Sequence, residues 1–168
     1  MRFRLLVFIS IILLGFPPTA FSDSTQRRTP IAQSGSTLIS SVLRNSVVNI
    51  RISTLRLEKD SNNAFPSSLP SDVRTVTIVQ SLDIYVDGQS LFVPRSVIAD
   101  LIDAREASVQ YVRGVFVLSI GGGDGADSYF VRVYFDTMKI FRRKLYSSLI
   151  PNKVAQDTHY WLHMLKDK

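Results

Sequence analysis

Two histidines, His159 and His163, stand four residues apart and are the only imidazoles in the 168-residue chain. On a helix that spacing would turn both rings to one face, where they could hold a metal ion. The pattern goes no further, because Tyr160 occupies the position where a zinc-peptidase helix carries its glutamate, and no third ligand is signalled. With Trp161, Leu162 and Leu165 on the apolar side and Lys166 continuing the polar one, the segment reads as the solvated face of an amphipathic helix. Nucleophilic catalysis has little to stand on: there is no cysteine and no G-x-S-x-G elbow, and any Ser-His-Asp arrangement would have to borrow one of those two histidines. Asp83, Asp87, Asp100, Asp103, Glu106, Asp124, Asp127 and Asp136 could supply an acid–base carboxylate pair of the glycosidase kind, but no spacing singles out two of them.

Gly122 to Phe130 reads G-G-D-G-A-D-S-Y-F, which satisfies the nonapeptide of calcium-binding β-roll repeats. Such sites form between successive turns of a stack, so one copy offers half a shell to an ion that wants 6 to 8 oxygens. Asp124 and Asp127 are therefore weak metal candidates, and the segment reads first as a glycine-rich hairpin loop. Its two carboxylates also argue against a phosphate cradle. No metal and no cofactor is expected.

The densest basic stretch holds Lys139, Arg142, Arg143 and Lys144, interleaved with Phe141 and Tyr146. Strand geometry would send Lys139 and Arg143 to one face and Arg142 and Lys144 to the other. One account is an edge strand charged against aggregation. The other is a surface for a partner or an anion, with aromatic rings under the arginines. These six side chains are the candidate binding residues.

The elements that must position these groups begin after a targeting signal. Arg2 and Arg4 precede an apolar run from Leu5 to Leu14, followed by Gly15, Pro17, Pro18 and small residues, the three-part layout of a cleavable signal peptide. The run is shorter than the roughly 20 residues of a transmembrane helix. Cleavage after Ser22 is expected to leave Asp23 at the new N-terminus, with a cut after Ala20 as the second choice, so no membrane span remains. The 20 basic residues then fall to 18 against 14 acidic ones, a net charge of +4 on 146 residues. That balance suits an acidic partner or simply keeps the chain dispersed. Nucleic acid is not expected, since no long Lys/Arg run and none of the usual motifs is present. The absence of cysteine excludes a disulfide framework and leans toward a bacterial periplasm over eukaryotic secretion.

Residues 23–36 read as a flexible leader and 37–168 as a single globular domain. Leu38, Ile39, Val42 and Leu43 have helical spacing, and from Val48 the pattern alternates until the phase slips at Thr54, as a β-bulge would cause, making Leu55 and Leu57 the next apolar set. Lys59 to Asp72 reads as a long Ser/Asn/Pro loop. Val76 to Ile78 and Leu82 to Val86 alternate around Gln80 and Ser81, then Asp87-Gly88 signals a tight hairpin. A short helix is expected after Pro94, with Val97, Ile98, Leu101 and Ile102 on one face. Val109–Val112, a turn at Arg113-Gly114, a doubly covered central strand from Val115 to Ile120, an alternating strand from Ser128 to Asp136, a strand from Met138 to Tyr146 and a helix capped at Asp157 or Thr158 complete the chain. The expected class is α+β or mainly β, an antiparallel sheet of about six to seven strands. The expected role is an exported, periplasmic or secreted, non-catalytic interaction protein that binds an envelope protein or an anionic glycan or lipid component. The alternative is a small periplasmic hydrolase acting through an Asp/Glu carboxylate site.

Overall fold

The computed structural model describes residues 27–59 and 73–161. The expected signal peptide, the Ser/Asn/Pro loop from residue 60 onward, and His163 lie outside the described residues. Among the described residues the chain is mainly β: ten strands form two antiparallel sheets. β1 (Thr29–Pro30), β6 (Ala104–Val112), β7 (Val115–Gly122), β8 (Tyr129–Phe135), β9 (Ile140–Ser147) and β10 (Val154–His159) form one sheet in the order β1-β6-β7-β8-β9-β10. β2 (Gly35–Leu43), β3 (Ser46–Glu58), β4 (Thr75–Val86) and β5 (Gln89–Leu91) form the other, in sequence order.

Short turns make this meander possible. Arg44-Asn45, Asp87-Gly88 and Arg113-Gly114 all carry two consecutive positive φ angles (48° and 72°, 52° and 83°, 50° and 93°), as two-residue hairpin loops that match strand twist require. The Asp87 carboxylate also accepts a hydrogen bond from the Val47 amide (2.8 Å), tying its turn to β3. Alternation then sorts the strands into faces. Val48, Ile50, Ile52, Ile84 and Val86 from the smaller sheet meet Leu118, Ile120, Val131, Val133 and Phe135 from the larger in a single core. β7, expected as a doubly covered central strand, is central in the six-stranded sheet with Phe116, Val117, Leu118 and Ile120 buried, but its outer face is not covered throughout, since Ser119 and Gly121 are only half-buried.

The expected bulge is present beside Thr54, but the extra residue belongs to β4. Ser53 pairs with Ser81 and Thr54 with Val79, leaving Gln80 unopposed. Leu57 is buried beyond it while Leu55 stays exposed. Past the bulge β4 swings toward the larger sheet, where Asp103 donates its amide to the Thr77 carbonyl (2.7 Å) and Ile78 bridges Ile102. This closes one corner of the sandwich.

Among the described residues neither the helix expected after Pro94 nor the start of the one expected from Asp157 is present, and the helical spacing from Leu38 does not form a helix; residues 162–168 lie outside the described residues. Leu38 to Leu43 belongs to β2, paired with β3 over nine residues, so Ile39 faces the core while Leu38 and Val42 face outward. After Pro94 there is only one 3-10 turn, Arg95–Val97, although Val97, Ile98 and Leu101 are buried as their apolar character requires. Asp157 caps no helix; it lies in β10, an edge strand beside β9. Within the expected leader, Thr29–Pro30 already pairs with β6 and β2 starts at Gly35.

Candidate functional site

The register of the larger sheet sets out three cross-strand rows on the face turned away from the core. Glu106, Gly121, Phe130 and Tyr146 form the first; Ser108, Ser119, Arg132, Lys144 and Asp157 the second; Gln110, Val117, Tyr134, Arg142 and His159 the third. Across the middle of this face β7 offers side chains that shrink from Val117 through Ser119 to Gly121, so a trough opens over its C-terminal half. The trough encloses about 450 Å³, within the range of small-ligand sites, and includes Arg28, Arg105, Glu106, Ser119, Phe130 and Arg132 in its lining.

A bulge builds one wall. Ala104 opposes Gly122 and Glu106 opposes Gly121, so Arg105 is the extra residue of β6. Ala104 and Ala107 are both buried, and the two residues between them, Arg105 and Glu106, both line the trough. Re-aiming a side chain in this way is a usual consequence of a bulge. Arg28, just before β1, reaches over to Glu106 (2.6 Å), and Arg105 lies 3.6 Å from Asp124. These pairs are solvent-exposed and hold each arginine only weakly in place.

The opposite wall is β8. Phe130 and Tyr146 stack face to face across the strands, centroids 4.5 Å apart and planes 8° from parallel. The Arg132 guanidinium lies 5.4 Å from one ring centroid and 5.3 Å from the other. Burial and the neighbouring Tyr134 raise the Tyr146 hydroxyl above its ordinary pKa, so it stays neutral and the stack carries no competing negative charge. Among the described residues, no carboxylate forms an ion pair with Arg132. Rings that fix a guanidinium without neutralising it leave its outward donors and its charge for something else.

The structure separates the six basic and aromatic residues expected to form a binding stretch. Arg142, Lys144 and Tyr146 lie on the outer face. Arg142 is committed to Asp157 by two hydrogen bonds (2.8 and 2.5 Å), which raises the guanidinium pKa and holds the carboxyl below its usual range. Lys144 stands 3.9 Å from the same carboxylate. Phe141 is the bulge residue between Ile140 and Arg142, and its carbonyl receives the Tyr160 amide. Lys139 sits in the β8–β9 turn, where Asp136 accepts its amide. Arg143 faces the core at 2% exposure, donating to the Val97 carbonyl, Gln156 and Asp100, so it is a brace and presents nothing to a partner.

The glycine loop forms a hairpin connection with a 3-10 turn at Gly125–Asp127, where the Asp124 carboxylate accepts the Gly125 amide. Among the described residues no group of three metal-ligating side chains gathers, and His159 lies in a strand beside Asp157 (3.5 Å). Six of the eight carboxylates considered for hydrolysis take part in contacts within the fold: Asp87 with Val47, Asp103 with the Thr77 amide, Asp100 with Arg143, Glu106 with Arg28, Asp124 with the Gly125 amide, Asp136 with its own turn.

Sequence reasoning missed Arg28, Arg105 and the Phe130–Arg132 pair. Arg132 could have been found, since the alternation of β8 puts it opposite Val131 and Val133. Arg105 could not, because its aim depends on a bulge set by the partner strand. Comparison of the chain with known proteins finds no matching family model, no matching curated protein and no matching solved structure.

Proposed function

We propose that this protein is a non-catalytic binding module of the cell envelope, and that the outer face of its six-stranded sheet takes an anionic envelope component. The observation that carries the reading is Arg132, exposed, oriented by two stacked rings and, among the described residues, paired with no carboxylate, on the wall of a trough that Arg28 and Arg105 face from the other side. A guanidinium presents a rigid fork that matches carboxylate and phosphate oxygens, and fixing it in advance lowers the entropy cost of engaging them. The envelope location rests on the signal-peptide layout of residues 1–22.

Calorimetric titration of the purified protein with polygalacturonate and with vesicles containing anionic lipid tests this, with Arg132→Gln set beside Arg51→Gln. Arg51 is exposed on β3, in the other sheet, so its loss removes the same charge elsewhere. Binding to one of these anions should weaken at least fivefold in Arg132→Gln, hold in Arg51→Gln, and fall with added salt, because exposed charges are screened over roughly 8 Å at physiological ionic strength. Equal weakening in the two variants would reduce the effect to net charge and remove the site.

A further inference from the structure

We infer that the trough is built for a ligand with two anionic groups, and that the ligand is an acidic saccharide bearing two carboxylates. This rests on the reading of the outer face as an anion site and goes beyond it.

The two walls carry cations of separate origin. Arg132 rises from β8; Arg105 rises from the β6 bulge, with Arg28 beside it from the segment before β1. β6 and β8 flank β7, so the walls stand two strand spacings apart, about 10 Å at the backbone. One small anion lying against Arg132 leaves the far wall unused. A ligand of roughly disaccharide size fits the 450 Å³ between them and presents one carboxylate to each wall. The lining suits a sugar: Ser119 on the floor and Ser148 beyond β8 offer hydroxyls, and Gly121 has no side chain to fill the space.

The carboxylates already in place fit this scheme. Glu106 and Asp124 would oppose an anion, but each is matched by a cation, Arg28 at 2.6 Å and Arg105 at 3.6 Å. Both pairs are exposed, so exchanging Asp124 for a ligand carboxylate at Arg105 costs little. Arg132 needs no exchange at all. Two contacts on one rigid sheet act together, since the second forms at high effective concentration once the first is made.

The test is calorimetry on the purified protein with galacturonic acid, digalacturonic acid and fructose 1,6-bisphosphate at fixed ionic strength. Digalacturonate should bind at least tenfold tighter than the monomer. Arg132→Gln and Arg105→Gln should each bring digalacturonate down to the monomer's affinity, whereas Arg51→Gln should not, with melting temperatures showing all three variants folded. Removing Arg105 and Arg132 together should cost less than the two single losses added together, as expected when each depends on the other. Equal affinity for monomer and dimer, lost in Arg132→Gln alone, would overturn the two-anion inference and leave the anion site standing. No binding of either saccharide at millimolar concentration would overturn the saccharide assignment, and if polygalacturonate and anionic vesicles also fail to bind, the anion site falls with it. Tenfold tighter binding of the bisphosphate than of digalacturonate would replace carboxylate with phosphoryl as the recognised group.

Discussion

At the scale of single residues, the two neighbouring arginines of β9 illustrate how one position along a strand changes a side chain's task. Arg142 points outward to Asp157 and Arg143 points inward to Val97, Asp100 and Gln156. Replacing Arg143 by Met keeps the stem's volume but leaves the Val97 carbonyl without its partner, and an unsatisfied buried acceptor costs about 1 to 3 kcal/mol. Urea unfolding of Arg143→Met should show a loss of about 2 kcal/mol, and Asp100→Asn, which alters only the half-exposed end of the bridge, less than about 1 kcal/mol. The adjacent glycines of β7 make a second contrast. A Cβ on Gly122 would stand 2.6 Å from the Tyr129 hydroxyl and 2.7 Å from the Asp103 carbonyl, whereas one on Gly121 meets only the Glu106 side chain at 3.4 Å. Gly122→Ala is therefore expected to cost about 1 to 3 kcal/mol, the range for overpacking, and Gly121→Ala to melt close to the parent while narrowing the trough.

Elements set which of these residues meet. Tyr129 at the start of β8 donates its hydroxyl to the Ile102 carbonyl (2.9 Å), fastening the larger sheet to the corner where β4 crosses over. Burial, followed by the charges of Asp100 and Asp103, raises its pKa well above the ordinary tyrosine value. A group whose folded pKa is raised contributes stability that is intact below the unfolded value, near 10, and is lost as pH climbs toward the folded one. The urea midpoint should fall between about pH 9.5 and 11.5, and the fall should be shallower in Tyr129→Phe, which has no proton to lose. Tyr146 shifts in the same direction and accounts for part of the slope that remains. The Arg142–Asp157 pair acts at the other extreme. Hydrogen bonding from Arg142 lowers the Asp157 pKa, so what the pair adds is present above the ordinary carboxyl range and disappears as pH falls through the lowered value.

Elements are also where the sequence was most and least legible. Asp87-Gly88 and Arg113-Gly114 specified their turns through residue chemistry alone, and the alternation of Tyr129, Val131, Val133 and Phe135 fixed the inward face of β8. β2 was misread because Leu38, Ile39, Val42 and Leu43 satisfy helical spacing equally well, and only the register with β3 turns Ile39 inward and leaves Leu38 66% exposed. The same holds after Pro94: burial of Val97, Ile98 and Leu101 was legible, but tertiary packing rather than a helix supplies it. Most of the trough stayed hidden because its walls come from β6, from β8 and from the segment just before β1, whose adjacency is a property of the sheet order.

On the scale of the whole molecule, the signal-peptide reading predicts that protein recovered from an exporting cell begins at Asp23, or at Phe21 if cleavage follows Ala20. N-terminal sequencing checks this, and an intact Met1 on membrane-bound protein would contradict it. With no cysteine in the chain, reductant should leave the melting temperature unchanged, so core packing carries the stability. That core draws on both sheets without a break, from Ile50 and Ile84 on one side to Leu118 and Val133 on the other. The sheets are joined further by the Thr77–Asp103 corner and by the β1–β2 connection, where Thr54 donates to the Ala32 carbonyl at 2.6 Å. Neither sheet has an apolar face of its own to retain if the other leaves, so the two should unfold together. Trp161, the only tryptophan, follows β10 at the edge of the larger sheet, while Tyr85 lies on β4 in the smaller. Urea transitions followed by tryptophan fluorescence, by far-ultraviolet circular dichroism and by the ring resonances of Tyr85 should therefore share one midpoint. A Tyr85 transition that precedes the tryptophan one would mean that the smaller sheet opens independently, and that the larger sheet carries the trough on a scaffold able to stand without it.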